Sequence, residues 1–219
     1  MQTIALVDLG MGNLRSVERA LSAAGALVGV RCAVVRTADP EVVGRADKVV
    51  VPGQGAFRDC AAALAGGLGE AIRGQIGKGT PYFGICLGLQ ALFGKSEEAP
   101  GAAGLGVLAG EVVRLPDGLR DPVTGEALKI PHMGWNEVRL TREVAGPLGV
   151  LAGEPAQHLY FVHSFHAVPE DAGICAAVAE HGPHRITAAV AHENVTATQF
   201  HPEKSQAIGL RLLGAFLSG

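Results

Sequence analysis

Gly79-Thr80-Pro81-Tyr82-Phe83-Gly84-Ile85-Cys86-Leu87-Gly88-Leu89-Gln90 is the stretch from which the fold is read. Its apolar run has the length of a buried strand through Ile85 and gives way at Leu87 to a helical pattern along Leu89, Leu92 and Phe93. Cys86 therefore falls on a strand-to-helix corner. Glycines two residues to either side remove the Cβ atoms that would obstruct a tight turn and the close approach of a substrate. A helix N-terminus stabilises negative charge and so favours a thiolate at that corner. A cysteine inside a folded protein is nevertheless more often inert packing than nucleophile, so the rest of the chain has to supply a base for it.

Upstream, strands alternate with helical patterns. Thr3 to Val7 reads as a short buried strand that ends at Asp8 and the loop Gly10-Met11-Gly12-Asn13, followed by a helix through Leu14, Val17, Ala20 and Leu21 that Gly25 is expected to stop. Val28 to Val35 and Asp47 to Val51 read as further strands, continuous enough to be covered on both faces. This alternation predicts an α/β fold with a parallel sheet flanked by helices, and ligands in such sheets sit at the carboxyl ends of the strands. The third strand leads into Pro52-Gly53-Gln54-Gly55-Ala56-Phe57. That loop lacks the lysine of a phosphate-binding loop and the third glycine of a dinucleotide fingerprint, and suits instead an outward-facing row of backbone N–H groups such as an oxyanion site uses. A plain glycine turn is the competing reading.

Downstream, Arg114 to Lys129 is a polar stretch rich in Pro and Gly and reads as a surface excursion or hairpin tip. Shorter strands follow at Trp135 to Leu140, His158 to Val168, Ile174 to Glu180, Arg185 to His192 and Val195 to Phe200, antiparallel in part and extending the same domain, 1–219. The closing helix spans Ala207 to Leu217, with Ser205 as N-cap.

With 219 residues, 48% apolar and 18% charged, the chain has the composition of a folded globule of one domain. Its net charge of -3 and lack of a basic run argue against nucleic acid and anionic membrane surfaces as partners. The opening residues lack a basic region before their apolar stretch and no uncharged run is long enough to span a bilayer, which predicts a cytoplasmic protein. Four cysteines at 32, 60, 86 and 175 are scattered without a paired spacing, so neither a disulfide framework nor a zinc site is expected. His163 and His166, and likewise His181 and His184, are three apart in extended segments, where that offset puts side chains on opposite faces.

The base is read from Gln199-Phe200-His201-Pro202-Glu203-Lys204-Ser205. In extended backbone His201 and Glu203 point the same way, and Pro202 stiffens the geometry between them. Imidazole can take a thiol proton and return it to a leaving amine, while a carboxylate fixes its tautomer. Cys86, His201 and Glu203 are thus the parts of a Cys-His-acid triad. Alone, His201 and Glu203 would read as a solvated surface pair.

Gly84-Ile85-Cys86-Leu87-Gly88-Leu89-Gln90 together with Gln199-Phe200-His201-Pro202-Glu203 resembles the class I (triad) glutamine amidotransferases. That resemblance implies a flavodoxin-like three-layer α/β sandwich with a mixed central sheet and an additional short antiparallel sheet. Within the family, Asp8 to Val17, Pro52 to Phe57, Pro131-His132-Met133-Gly134-Trp135-Asn136, Tyr160 to Phe165 and His201 to Ser205 resemble the glutaminase subunits of imidazole glycerol phosphate synthases. The likeness runs through essentially the whole chain. It implies hydrolysis of L-glutamine through a thioester on Cys86, with an oxyanion hole from Leu87 and the Gly53-Gln54-Gly55 loop. It further implies glutamine binding by Gln90, Glu98, His163, Ser164 and Phe165, no cofactor and no metal. The partner implied is a (β/α)₈-barrel cyclase in a heterodimer, which receives the ammonia in histidine biosynthesis and is contacted through Asn13, Met133, Trp135, Tyr160 and Lys204. Leu9 stands where the family usually has tyrosine, and Gln54 where valine is common. Competing readings are a glutaminase serving another synthase, an α/β hydrolase, whose acid precedes its histidine, and a catalytically silent regulatory subunit.

Overall fold

The computed structural model describes residues 1–153 and 155–219. Its strands are β1 (Gln2–Val7), β2 (Cys32–Thr37), β3 (Lys48–Gly53), β4 (Tyr82–Cys86), β5 (Gly110–Arg114), β6 (His132–Leu140), β7 (Gln157–His163), β8 (Phe165–Pro169), β9 (Cys175–His181), β10 (His184–His192) and β11 (Val195–Thr198). Its helices are α1 (Leu14–Val28), α2 (Pro40–Val43), α3 (Phe57–Leu64), α4 (Leu68–Gly77), α5 (Leu87–Gln90) and α6 (Gln206–Ser218). Among the described residues the strands form a nine-stranded mixed sheet, ordered β2-β1-β3-β4-β11-β10-β9-β6-β7, and a two-stranded antiparallel sheet of β5 and β8. Pairing is parallel from β2 to β11 and antiparallel from β11 to β7.

Successive side chains of a strand leave opposite faces of the sheet. Ile4, Leu6, Val50, Phe83 and Ile85 enter a core with α1 and α6, while Ala5, Val7, Val49, Val51 and Tyr82 enter another with α2, α3 and α4. Each fully buried Leu, Ile or Phe stabilises by about 1.5–3 kcal/mol, and coverage of both faces is why β3 and β4 read as unbroken apolar runs. This is the expected three-layer α/β arrangement with its short second sheet.

Register places the site. β3, β4 and β11 are adjacent and parallel, so their carboxyl ends emerge together. Gly53 pairs with Cys86 on one side, and on the other Thr198 pairs with Ile85, which leaves Gln199 as the next residue beside Cys86.

Several local expectations are corrected. Helix α1 runs through Gly25 to Val28 and is closed by Gly29 in the left-handed conformation. Gly25 is a packing residue: a Cβ there would lie 2.9 Å from the Val30 carbonyl. β2 accordingly starts at Cys32 and, as the outermost strand, leaves Val35 exposed instead of covered on both faces. The segment His158 to Val168 is two strands in different sheets, broken at Ser164, whose carbonyl accepts from Leu115 N at 2.9 Å. β11 ends at Thr198, so His201 and Glu203 lie beyond it, His201 in extended backbone just before a 3-10 turn at Pro202–Lys204 and Glu203 within that turn. Ser205 stands at the N-cap of α6 as expected, but its hydroxyl makes no cap bond: it donates to His201 O at 2.6 Å and accepts from Tyr160 N at 3.1 Å. The polar excursion at 116–128 is a turn closed by a bridge between Arg120 and Ala127, with Asp121 Oδ1 accepting from Val123 N and Thr124 N at 2.8 Å.

Candidate active site

Cys86 ends β4 with φ 54°, a left-handed value unusual for a residue with a Cβ and a mark of local strain. The flanking glycines make room for backbone. A Cβ on Gly84 would lie 2.6 Å from Gly88 O, and one on Gly88 would lie 1.8 Å from Val51 O. The Tyr82 hydroxyl, fully buried, donates to Gly88 O at 2.7 Å and ties the corner to its strand. What the glycines clear is therefore the protein itself, not a path for substrate.

The helix beyond Cys86 is a single turn, shorter than the sequence pattern suggests. Ala91, Leu92 and Phe93 are buried on all sides, and the carbonyls of Ala91 and Leu92 accept from Leu105, Val107 and Leu108 N. Tertiary backbone partners thus take the carbonyls that a longer helix would need. One turn carries only a small dipole, so side chains dominate the electrostatics at the sulfur.

His201 Nδ1 lies 2.8 Å from Glu203 Oε1, with both side chains almost wholly buried. His201 Nε2 is buried and has no hydrogen-bond partner. Burial works to lower the imidazole pKa, but the adjacent Cys86 sulfur and the Glu203 carboxylate outweigh it and push it up to about 9. On the far side of Cys86 a cavity of about 250 Å³ is lined by Gln54, Gly55, Cys86, Leu87, Gln90, Glu98, Pro131, Val162, His163, Ser164 and Phe165. It gathers every residue expected to bind glutamine, and two of the three loop residues expected at an oxyanion site. Gly53 instead faces a space of about 10 Å³, about the size of one water, shared with Met11, Gly12, His201 and Glu203. The loop is backed by its neighbour: a Cβ on Gly12 would sit 3.1 Å from Gln54 N, and one on Gly55 3.0 Å from Met11 Sδ.

Within the cavity the polar groups are pre-arranged. Gln90 Nε2 donates to Phe165 O at 2.9 Å and to Gln199 Oε1 at 3.1 Å. Glu98 Oε2 accepts from Phe57 N at 2.9 Å, capping α3, whose own N-cap Ala56 has no side chain to do so. His163 Nδ1 donates to Phe165 O at 2.9 Å, which leaves Nε2 to accept from His132 Nδ1 at 3.0 Å, and His132 Nε2 accepts from Asn136 Nδ2 at 3.0 Å. Burial, reinforced by neighbouring histidines, pushes His163 down to about 3 and His132 down to about 4, so both rings are neutral.

Two of these neighbours, Gln199 and His132, carry no separate role in the sequence reading. Gln199 Nε2 donates to Cys86 Sγ at 3.4 Å. The local offset does separate His163 from His166, but cross-strand register brings His132 to His163, and His184 Nε2 lies 3.1 Å from His166 Nε2. Among the described residues no group of three or more His, Cys, Asp or Glu side chains is arranged to hold a metal ion.

Of the residues expected at a partner interface, Trp135, Tyr160 and Lys204 lie together. Met133 and Trp135 are exposed on β6, the Trp135 ring meets Tyr160 edge-on at 6.1 Å, and Lys204 Nζ lies 5.4 Å over the Tyr160 ring. Asn13 is exposed and its Oδ1 accepts from Ser16 N, capping α1. Among the described residues no helix is long and apolar enough to cross a membrane.

Residues 5–216 match the glutamine amidotransferase class-I family. The chain is 49% identical over 214 residues to the imidazole glycerol phosphate synthase subunit HisH of Syntrophotalea carbinolica, covering 97% of this chain and 98% of that one. It is 48% identical over 217 residues to the same subunit of Geobacter metallireducens, covering 99% and 98%. In fold it is similar to PurLQS from Thermotoga maritima, with TM-score 0.72, 19% identity and coverage of 100% and 99%. It is likewise similar to the Trypanosoma brucei CTPS glutaminase domain with bound acivicin, with TM-score 0.68, 16% identity and coverage of 100% and 94%. The chain thus belongs to the class-I glutamine amidotransferases, in the group of HisH subunits of imidazole glycerol phosphate synthase.

Proposed function

We propose that residues 1–219 act as one amidotransferase domain that hydrolyses L-glutamine at Cys86 and delivers the ammonia to a (β/α)₈-barrel cyclase in a cytoplasmic heterodimer, without cofactor or metal. The observation that carries this reading is the buried His201–Glu203 pair at 2.8 Å, which occupies Nδ1 and leaves Nε2, with no other partner, for the adjacent Cys86 sulfur.

Glutamine occupies the 250 Å³ cavity with its side-chain amide at Cys86. Both Gln90 N–H groups are already engaged, so its carbonyl oxygen is the atom that accepts from substrate. Glu98 uses one oxygen on α3 and offers the other to the α-ammonium. His163, Ser164 and Phe165 form the facing wall. Sγ attacks the amide carbon, His201 holding the thiol proton, and the oxyanion is taken by N–H groups of Leu87 and the Gly53-Gln54-Gly55 loop. Collapse breaks the C–N bond as His201 returns the proton to nitrogen, releasing ammonia and leaving a glutamyl thioester. His201 then takes a proton from water, hydroxide adds to the thioester carbon, and glutamate leaves as the proton returns to sulfur. Glu203 keeps the imidazole in one tautomer throughout. Met133 and Trp135, exposed on β6, receive the cyclase together with the half-buried Tyr160 and Lys204 and the exposed Asn13; aromatic residues are favoured in such contacts.

The test is glutamate release from glutamine by the chain alone and with its cyclase plus the cyclase's nucleotide ligand. Slow or absent release alone and strong stimulation in the complex are expected, since closure of the oxyanion loop completes the site. Cys86→Ala abolishes hydrolysis but leaves ammonia-dependent synthesis by the partner. Survival of hydrolysis in that variant would remove Cys86 as nucleophile.

A further inference from the structure

Gln199 is fully buried, carries the amide nearest the reacting sulfur, and takes no part in the steps just described. Its orientation follows from a chain of hydrogen bonds that ends on backbone. The Phe165 carbonyl oxygen can only accept, and the Gln90 atom 2.9 Å from it is therefore the amide nitrogen. The same nitrogen lies 3.1 Å from Gln199, so the atom it meets is the Gln199 oxygen. That turns the Gln199 NH₂ toward Cys86 Sγ at 3.4 Å. A flipped Gln199 amide would set nitrogen against nitrogen at one end and oxygen against sulfur at the other. The Phe165 carbonyl is also held by His163 Nδ1 at 2.9 Å, so the anchor itself is fixed.

A buried amide N–H locked onto sulfur discriminates between the sulfur's states. A thiolate accepts a charge-assisted hydrogen bond; a thiol or thioester sulfur accepts only a weak one. We propose that Gln199 is a further catalytic residue, a fixed donor to Cys86 Sγ that favours the thiolate both as nucleophile and as the group expelled from the thioester, with Gln90 and the Phe165 carbonyl as its positioning groups. This rests on the reading of Cys86 as nucleophile. It also links the wall of the glutamine cavity to the sulfur through two side chains and one carbonyl, so a shift of Phe165 is felt at Sγ.

The experiment is the pH dependence of iodoacetamide alkylation of Cys86 in the full chain, followed by mass spectrometry of the Cys86 peptide. Gln199→Met removes the donor at nearly constant volume and raises the midpoint for Cys86 by about one to two pH units. Gln199→Leu likewise removes the donor without adding a charge and also raises the midpoint, whereas a Gln199 that only fills space would leave the midpoint unchanged in both variants. Thermal melting identifies any variant that does not fold, and either folded variant suffices. Midpoints coincident with that of the unsubstituted chain would overturn the proposal. If unsubstituted Cys86 alkylates no faster than the half-buried Cys32, the nucleophile reading itself fails, and this proposal with it.

Discussion

His201 and Glu203 meet at 2.8 Å across a 3-10 turn whose backbone is fastened to β7. His201 N donates to Tyr160 O at 2.8 Å, and the Ser205 hydroxyl bridges His201 O and Tyr160 N. The imidazole is thus held by its own carboxylate partner and by the strand that carries Tyr160, the half-buried neighbour of the exposed Trp135. An extended His-Pro-Glu segment would give the same pairing on paper, but only the turn places it under this double anchor.

The carboxylate's contribution is read from Glu203→Gln. An amide can present the wrong group to Nδ1 and release the tautomer, so glutamine turnover in the complex should fall by about 10²–10⁴-fold. The urea midpoint should change little by comparison. Turnover within a factor of about two of the original would show that Glu203 does not orient the base.

Histidines set opposing pH dependences of stability. His201 is held at about 9 against 6.5 in the unfolded chain, so its contribution is complete below 6.5 and lost as pH rises through 9. His132 and His163, held at about 4 and about 3, contribute fully above 6.5 and lose that contribution as pH falls toward those values. The urea midpoint should peak between these limbs. Cys86→Ala, which removes the leading charge that raises His201, should flatten the alkaline limb; an alkaline limb unchanged in that variant would contradict the assignment.

At the Cys86 corner, Gly88→Ala tests the backbone clash. The new Cβ would sit 1.8 Å from Val51 O, and no side chain can move aside to relieve it. Overpacking costs about 1–3 kcal/mol or more, and this site belongs at or above the upper end, measurable as a lower urea midpoint or loss of soluble protein. A midpoint equal to the original would mean the corner is looser than described.

Glu98 combines two duties that substitution separates. Glu98→Gln keeps an oxygen for Phe57 N but loses the charge for the substrate ammonium, so KM for glutamine should rise about tenfold or more with a small change in stability. Glu98→Ala loses the cap as well and should cost about 1 kcal/mol further. Equal KM in all three proteins would leave Glu98 with the cap alone.

The corner at Cys86 and the His201–Glu203 pairing were legible because they carry local marks: glycines around the cysteine, and a histidine and carboxylate two residues apart around a proline. The parallel half of the sheet was legible because strands buried on both faces give continuous apolar runs. Gln199 was not, since its contact with Cys86 depends on the register of β11 against β4, more than a hundred residues apart in the chain. The helix expected to run from Leu87 along Leu92 and Phe93 stops at Gln90 because Leu105, Val107 and Leu108 take the Ala91 and Leu92 carbonyls, a competition invisible to periodicity. Gly25 misled for a related reason: glycine ends helices when exposed, but here it packs against Val30. Ser205 does stand at the N-cap of α6, but its hydroxyl joins His201 to Tyr160 instead of capping the helix.

The central claim is that Cys86 carries the glutamyl group. Rapid acid quench of the cyclase complex during glutamine turnover, followed by mass analysis of the Cys86 peptide, measures this directly. The account predicts a glutamyl thioester on Cys86 that builds up within the first turnover and is absent from Cys86→Ala; glutamate release with no adduct on Cys86, and undiminished in that variant, would contradict it.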